Sequence, residues 1–301
     1  MLSYLEVLAQ PNRPKIGLVL SSGGIKPFAA FELFKFLEEA RIPIDLLVGC
    51  SGGGIASMMK AIGLSIDEMK QNASSLLKPE LFKLDYHTVS SLLHVPFTRF
   101  KKGHGLFKGA EVLKSIGKVA GNRMLEELNI PTILQTTSLE TGLGVVQTKG
   151  KLAELVYASA AVVPFLPPIE IQGKWYVDGG YSDAFPVIQA VARGMDIIIA
   201  MDFQSGVKLK PAKNYYESFE HLSLSCIQNE VHYANSCAVD VHSYEIIFME
   251  VDFEIAVPMW HTDALPYVFE RGKVAVEGVK QQIIQAIELF PAFQANAAGS
   301  I

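Results

Sequence analysis

The sequence predicts an α/β protein with three layers, α/β/α, built around a mostly parallel central sheet. Short apolar runs alternate with helix-like patterns through the first two hundred residues, as a sheet covered on both faces requires. Twice, near residues 20 and 50, an apolar run passes through a glycine-rich loop straight into a helix-like run. Half of the 301 residues are hydrophobic, which favours one elaborated core over two independent ones. The division expected is an N-terminal extension over 1–14, a single domain over 15–290 with its motif-bearing core in 15–205 and a C-terminal elaboration in 206–290, and a flexible tail over 291–301.

Ile16–Leu20 is short and apolar enough to be a buried parallel strand. Ser21-Ser22-Gly23-Gly24-Ile25-Lys26-Pro27 follows as a loop, and a helix with Pro27 in its first turn is expected to reach about Ala40. Ile44–Val48, apolar except for Asp45, reads as the second strand, and Gly54 to Met59 continues as helix. Ser65-Ile66-Asp67-Glu68 is a capping box that starts a helix toward Leu77. Ala110 to Val119 reads as another helix, and Thr132–Thr136, Gly144–Thr148 and Ile197–Asp202 as further strands. In the last third, Tyr244 to Phe253 has strand character and Tyr267 to Leu289 a helical apolar pattern. The small, polar residues after Pro291 are expected to fray.

Gly49-Cys50-Ser51-Gly52-Gly53 is a Gly-x-Ser-x-Gly between strand and helix, the sequence of a nucleophile elbow. The flanking glycines remove side chains that would collide in so sharp a turn, and the following helix points its free N–H groups where an oxyanion would form. Cys50, one residue before the serine, is expected to pack back into the fold as a structural residue. Gly23 and Gly24 can turn backbone amides toward an anion with Lys26 as a nearby charge. A nucleotide phosphate loop does not fit there, because neither of its glycine spacings can be read. Lys174-Trp175-Tyr176-Val177-Asp178-Gly179-Gly180 puts an acid at the end of a strand-like run. A serine hydroxyl needs an adjacent base, and Asp178 is the best candidate for it.

These three blocks resemble the patatin-like phospholipase family, and the resemblance extends over about Lys15 to Asp202. Further stretches fit in order: Gly105–Gly109, Ile130–Ile133, Thr137–Gly142, Ala158-Ser159-Ala160-Ala161-Val162-Val163-Pro164 and Phe185–Val187. The resemblance implies a patatin-like fold and a lipid acyl hydrolase of phospholipase A or lysophospholipase type. Ser51 would be its nucleophile and Asp178 its base, with oxyanion donors at Gly23, Gly24 and Gly52 and Lys26 at the basic position. It implies no histidine, no cofactor and no metal. The chain departs from the family pattern at Ser22 and at Pro27, which has no N–H to donate. Ser182-Asp183 is a further departure, and a buried Asp183 would raise the pKa of Asp178. An acyltransferase sharing the acyl-enzyme, or a non-catalytic lipid-binding protein on the same fold, remains open on sequence alone.

An ordinary α/β-hydrolase triad would draw its histidine from His221, His232, His242 or His261. Only one strand precedes the elbow strand, however, and no histidine has a recognisable setting. A net charge of −5 argues against nucleic acid as a partner. Three cysteines without metal-ligand spacing fit a reducing, cytoplasmic setting. The first fifteen residues do not read as a signal peptide, and the longest uncharged stretches are too short for a membrane span. The expected partners are a lipid or other ester and, at most, a peripheral membrane surface; nothing sets an oligomeric state. Leu92 to Lys102 mixes bulky apolar and basic residues, and reads first as a connecting loop and second as a lid or lipid-facing segment. The stretch from Lys208 to Val239 could be a lid or substrate-binding structure, and nothing in it fixes a role.

Overall fold

Continuous apolar sequence produces strands buried on both faces, and these form the centre of the sheet. The computed structural model describes residues 2–76, 79–86, 88, 90, 103–203, 229, 231, 233–255, 257–259 and 261–298. Within them, β1 (Ile16–Leu20), β2 (Leu46–Cys50) and β7 (Ile197–Asp202) are buried at every position. They lie between β3 (Thr132–Ser138) on one side and β8 (Glu245–Glu250) on the other, and all four contacts are parallel. Antiparallel pairing begins at β3, which takes β4 (Gly144–Gln147) and β6 (Lys174–Asp178), and β5 (Ile169–Ile171) pairs antiparallel with β6. The full order is β5-β6-β3-β2-β1-β7-β8, with β4 paired to β3 off this path.

Side chains alternate across the sheet, so each strand feeds two cores. Ile16, Leu18, Leu20, Leu47 and Leu134 join the larger cluster. There they meet α2 (Ala30–Glu39), α3 (Gly52–Ala61), α4 (Ile66–Leu76), α5 (Gly109–Ala120), α6 (Leu152–Ser159) and α9 (Leu265–Ala298). Val19, Leu46, Val48 and Ile133 face the smaller cluster with α7 (Val187–Val191) and Ala238 of α8 (233–241). Three layers result. The strands of this one sheet are drawn from residues 16 to 250.

Several boundaries differ from expectation. The second strand begins at Leu46 rather than Ile44 and runs through Cys50. Asp45 is spent outside the ladder, accepting from Arg13 at 2.7 and 2.8 Å and from the Ile16 N–H. Pro27 sits in a 3-10 turn, Lys26–Ala29, before α2 begins at Ala30. The capping box at Ser65 and Glu68 forms as read. The 1–14 extension contains a short helix, α1 (Tyr4–Leu8), capped by Ser3 and Glu6. The expected loose tail is helical as far as Ala298, because α9 continues through Pro291. Phe290 and Phe293 pack their rings on Tyr244, at 5.3 and 4.5 Å, which offsets the one N–H that proline removes. No helix among the described residues is long and apolar enough to cross a membrane. The segment Leu92–Lys102, and Lys208–Val239 for most of its length, lie outside the described residues.

Candidate active site

The sheet itself brings Ser51 and Asp178 together. Gln135 of β3 pairs with Cys50 of β2 on one side and Val146 of β4 on the other. The next residue, Thr136, pairs with Val145 of β4 and with Asp178 of β6. β2 and β6 therefore occupy the same edge of β3, arriving from opposite directions. Their C-terminal ends meet at neighbouring rungs, where β2 passes straight into Ser51 and β6 ends on Asp178.

Ser51 makes the turn with φ 54° and ψ −122°, a conformation that a residue with a Cβ holds only where its surroundings impose it. The constraint is steric and close. A Cβ on Gly52 would lie 1.9 Å from the Gly24 carbonyl oxygen, and one on Gly53 would lie 2.4 Å from that of Leu20. Only glycine lets the start of α3 press against the loop after β1. The strained backbone is also tied down: the Ser51 N–H donates to Ser159 Oγ at 3.0 Å, and that hydroxyl donates to the Gln135 carbonyl at 2.7 Å.

Ser51 Oγ donates directly to Asp178 Oδ2 at 2.6 Å, with no histidine between them. Asp178 is fixed at every polar atom. Its Oδ1 accepts from the Gly180 N–H at 2.7 Å, its own N–H donates to the Ala161 carbonyl, and its carbonyl accepts from Thr137 Oγ1 at 2.8 Å. Both side chains are nearly sealed, Ser51 being 6% and Asp178 4% exposed. Burial pushes the carboxyl up to about 6, against the opposing pull of its bonds from Ser51 and Gly180. Desolvation thus gives Asp178 the basicity that a serine's partner needs. Asp183, expected to assist by like-charge repulsion, is not among the causes of the shift.

Gly24 and Gly52 line the cavity beside Ser51 and Gly23 precedes them in the loop, and no hydrogen-bond partner of their N–H groups is found among the described residues. Lys26, placed with them in the sequence reading, follows in the same loop. Its N–H donates to the Gly23 carbonyl and its ammonium lies 5.8 Å from the centre of the Phe253 ring. The Ile25 N–H is likewise occupied, by the Met259 carbonyl at 3.1 Å. That contact braces the loop from the C-terminal third, a role for Met259 that the sequence does not signal.

A cavity of about 470 Å³, counted to its open mouth, begins at Gly24, Ser51 and Gly52 and continues between helices. Its walls are apolar, including Ile55 of α3, Leu76 of α4, Phe82, Val112 and Ile116 of α5, and Leu166. Cys50 is buried with its Sγ against Gly179, in keeping with a packing role. His242 Nε2 donates to the Asp196 carbonyl at 2.9 Å, before the start of β7 and so at the opposite end of that strand from Asp202. His221 and His232 lie outside the described residues. No group of three or more His, Cys, Asp or Glu is placed to hold a metal among the described residues.

Sequence reasoning missed Ser159 and Thr137 as individual residues, although both stand in stretches that carry the family resemblance. It missed α6 as well, whose final residue is Ser159.

The fold and this site define a three-layer α/β protein with a serine at a strand-to-helix elbow beside a buried carboxylate. The chain belongs to the patatin-like phospholipase family, whose sequence model matches residues 18–191. It is 30% identical over 194 residues to a lysophospholipase NTE1 of Aspergillus oryzae, an alignment covering 63% of this chain and 12% of the relative. It is 26% identical over 203 residues to an uncharacterised NTE family protein of Mycobacterium tuberculosis, covering 67% of this chain and 52% of the relative. The chain thus spans about an eighth of the fungal relative's length and about half of the mycobacterial one's. Among solved structures it is similar to VipD from Legionella pneumophila, with a TM-score of 0.48 and 12% identity over 92% of this chain and 67% of that one. It is also similar to the type III effector ExoU, with a TM-score of 0.44 and 14% identity over 89% of this chain and 53% of that one.

Proposed function

We propose that this chain is a lipid acyl hydrolase of phospholipase A or lysophospholipase type, working through Ser51 and Asp178. The observation that carries the reading is the shared location of the parts. One end of an apolar cavity is lined by Gly24, Ser51 and Gly52, and the Ser51 hydroxyl donates to the buried Asp178 carboxylate behind it. An acyl chain in the cavity would bring its ester carbonyl to that end. The lysophospholipase names of fungal relatives support the same substrate class.

In this mechanism Ser51 Oγ attacks the carbonyl carbon while Asp178 Oδ2 takes its proton. The developing oxyanion is received by the N–H groups of Gly23, Gly24 and Gly52, at the positive end of α3. Collapse breaks the bond to the leaving alcohol, which receives the proton from Asp178, and leaves an acyl ester on Ser51. Water then attacks that ester as Asp178 again accepts the proton, and the tetrahedral adduct releases the fatty acid and restores the Ser51 hydroxyl. With its carboxyl near 6, Asp178 is ionised roughly ten to one at pH 7, and so is ready as a base at the start of each half-reaction.

The test is hydrolysis of a p-nitrophenyl ester and of a lysophospholipid, with chelator present, by wild type, Ser51→Ala and Asp178→Asn. The wild type is expected to turn over, and each variant to lose about 10³-fold or more in kcat while remaining folded, since the pair acts as a unit. Wild-type inactivity on every ester, or retained activity in Ser51→Ala, overturns the reading. Turnover that appears only when an acceptor alcohol is supplied makes the chain an acyltransferase.

A further inference from the structure

We propose that Ser159 is a positioning residue for catalysis, holding the nucleophile in its attacking geometry through the backbone rather than through contact with substrate. The inference rests on the reading of Ser51 as nucleophile and extends it to a residue that carries no chemistry of its own.

The observations lie in three residues after the body of α6. Ser159 is fully buried, and its hydroxyl is saturated in a specific sense: it accepts the Ser51 N–H at 3.0 Å and donates to the Gln135 carbonyl at 2.7 Å. Gln135 is the β3 residue opposite Cys50, so the hydroxyl fastens the elbow to the strand on which both catalytic ends converge. Two residues later the Ala161 carbonyl accepts the Asp178 N–H at 3.1 Å. The stretch Ser159–Ala161 therefore holds the backbone of the nucleophile and of the base from one short piece of chain. Val162, the next residue, lines the apolar cavity.

The held conformation is the strained one. A φ of 54° at a serine relaxes unless something resists it, and its N–H has this one partner. The bond has a second consequence: it commits the Ser51 amide to Ser159, which leaves the oxyanion to Gly23, Gly24 and Gly52. Deleting the hydroxyl removes one acceptor and one donor from a buried site without adding volume, so the elbow can rotate and shift Oγ relative to Asp178 Oδ2. Sub-ångström to ångström misplacements of this kind act on kcat rather than on binding.

The experiment compares wild type, Ser159→Ala and Ser159→Cys on a p-nitrophenyl ester, with kcat normalised to the sites titrated by a fluorophosphonate. Folding is followed by near-ultraviolet circular dichroism. For Ser159→Ala, kcat per titrated site is expected to fall about 10–100-fold with KM within about threefold. Ser159→Cys, which keeps the shape and a weak hydrogen-bonding atom, should fall in between. A wild-type kcat per titrated site in Ser159→Ala overturns the proposal, even if fewer sites titrate, because Ser159 would then only support folding. An equal loss in the Ala and Cys variants accompanied by a raised KM overturns it as well. A wild type that neither hydrolyses the ester nor takes the fluorophosphonate overturns instead the nucleophile reading on which the proposal stands.

Discussion

Asp178 is a carboxyl that folding makes harder to ionise, and its chemistry and its effect on stability follow from the same burial. Its pKa lies near 6 folded against about 4 for an exposed aspartate, so the folded state binds this proton more tightly than the unfolded chain. The resulting stabilisation is fully present below about pH 4 and is lost as pH rises through about 6. At neutral pH the protein therefore carries a buried charge that its fold would shed. Asp178→Asn should be more stable than wild type at pH 8, by on the order of 2–3 kcal/mol, with the difference vanishing below pH 4. Thermal melts across pH 3.5–8 check this; a difference independent of pH, or a less stable variant at pH 8, contradicts it. At this scale the sequence was informative about Ser51, Asp178 and the glycines, because sharp turns leave few residue types to choose from. The reach of the Lys26 side chain was not legible in the same way. Sequence places it beside the glycines, and its ammonium also lies 5.8 Å from the ring of Phe253, more than two hundred residues away.

Strand and helix existence was legible where the local signal was strong: β1 and β7 fall at their expected residues, and the Ser65 capping box starts α4. Boundaries moved where a distant group decided them, as Arg13 does at Asp45 and Tyr244 does beyond Pro291. The meeting of β2 and β6 head to head on β3 could not be read from sequence at all, since pairing partners more than a hundred residues apart leave no periodic trace. Yet this pairing, rather than any property of the loops, puts the serine and the acid on adjacent rungs. Helices α3 and α5 supply the matching device on the substrate side. Ile116 of α5 is buried at the apolar wall, and Ile116→Trp should fill part of the cavity. That variant is expected to lower kcat/KM for a long-chain p-nitrophenyl ester about tenfold or more while leaving p-nitrophenyl acetate within about threefold. Equal losses on both esters would contradict the assignment of the cavity to the acyl chain.

Across the whole molecule the parts depend on one another over long sequence separations. The glycine loop after β1 is braced by Met259, the elbow by Ser159, and Asp178 by Ala161 and Thr137. Since the sheet's strands come from residues 16 to 250 and α9 packs onto the same core, we take residues 15–290 to fold as a unit. On the proposed mechanism such an arrangement is a preorganised site, with donors, nucleophile and base set by packing before substrate arrives. It also explains why the resemblance to patatin-like phospholipases was carried by short motifs: they mark the places where backbones touch, and the intervening core tolerates other apolar residues.

The most direct measurement of the central claim is the rate and position of fluorophosphonate labelling, read by intact-mass and peptide mass spectrometry. The wild type should take one phosphonyl group, on Ser51, at a rate that rises with pH around a midpoint near 6. Asp178→Asn should label about 10³-fold more slowly, and His242→Ala and His261→Ala at the wild-type rate. Labelling at another residue, or an Asp178→Asn rate equal to wild type, would contradict a serine activated directly by this buried carboxylate.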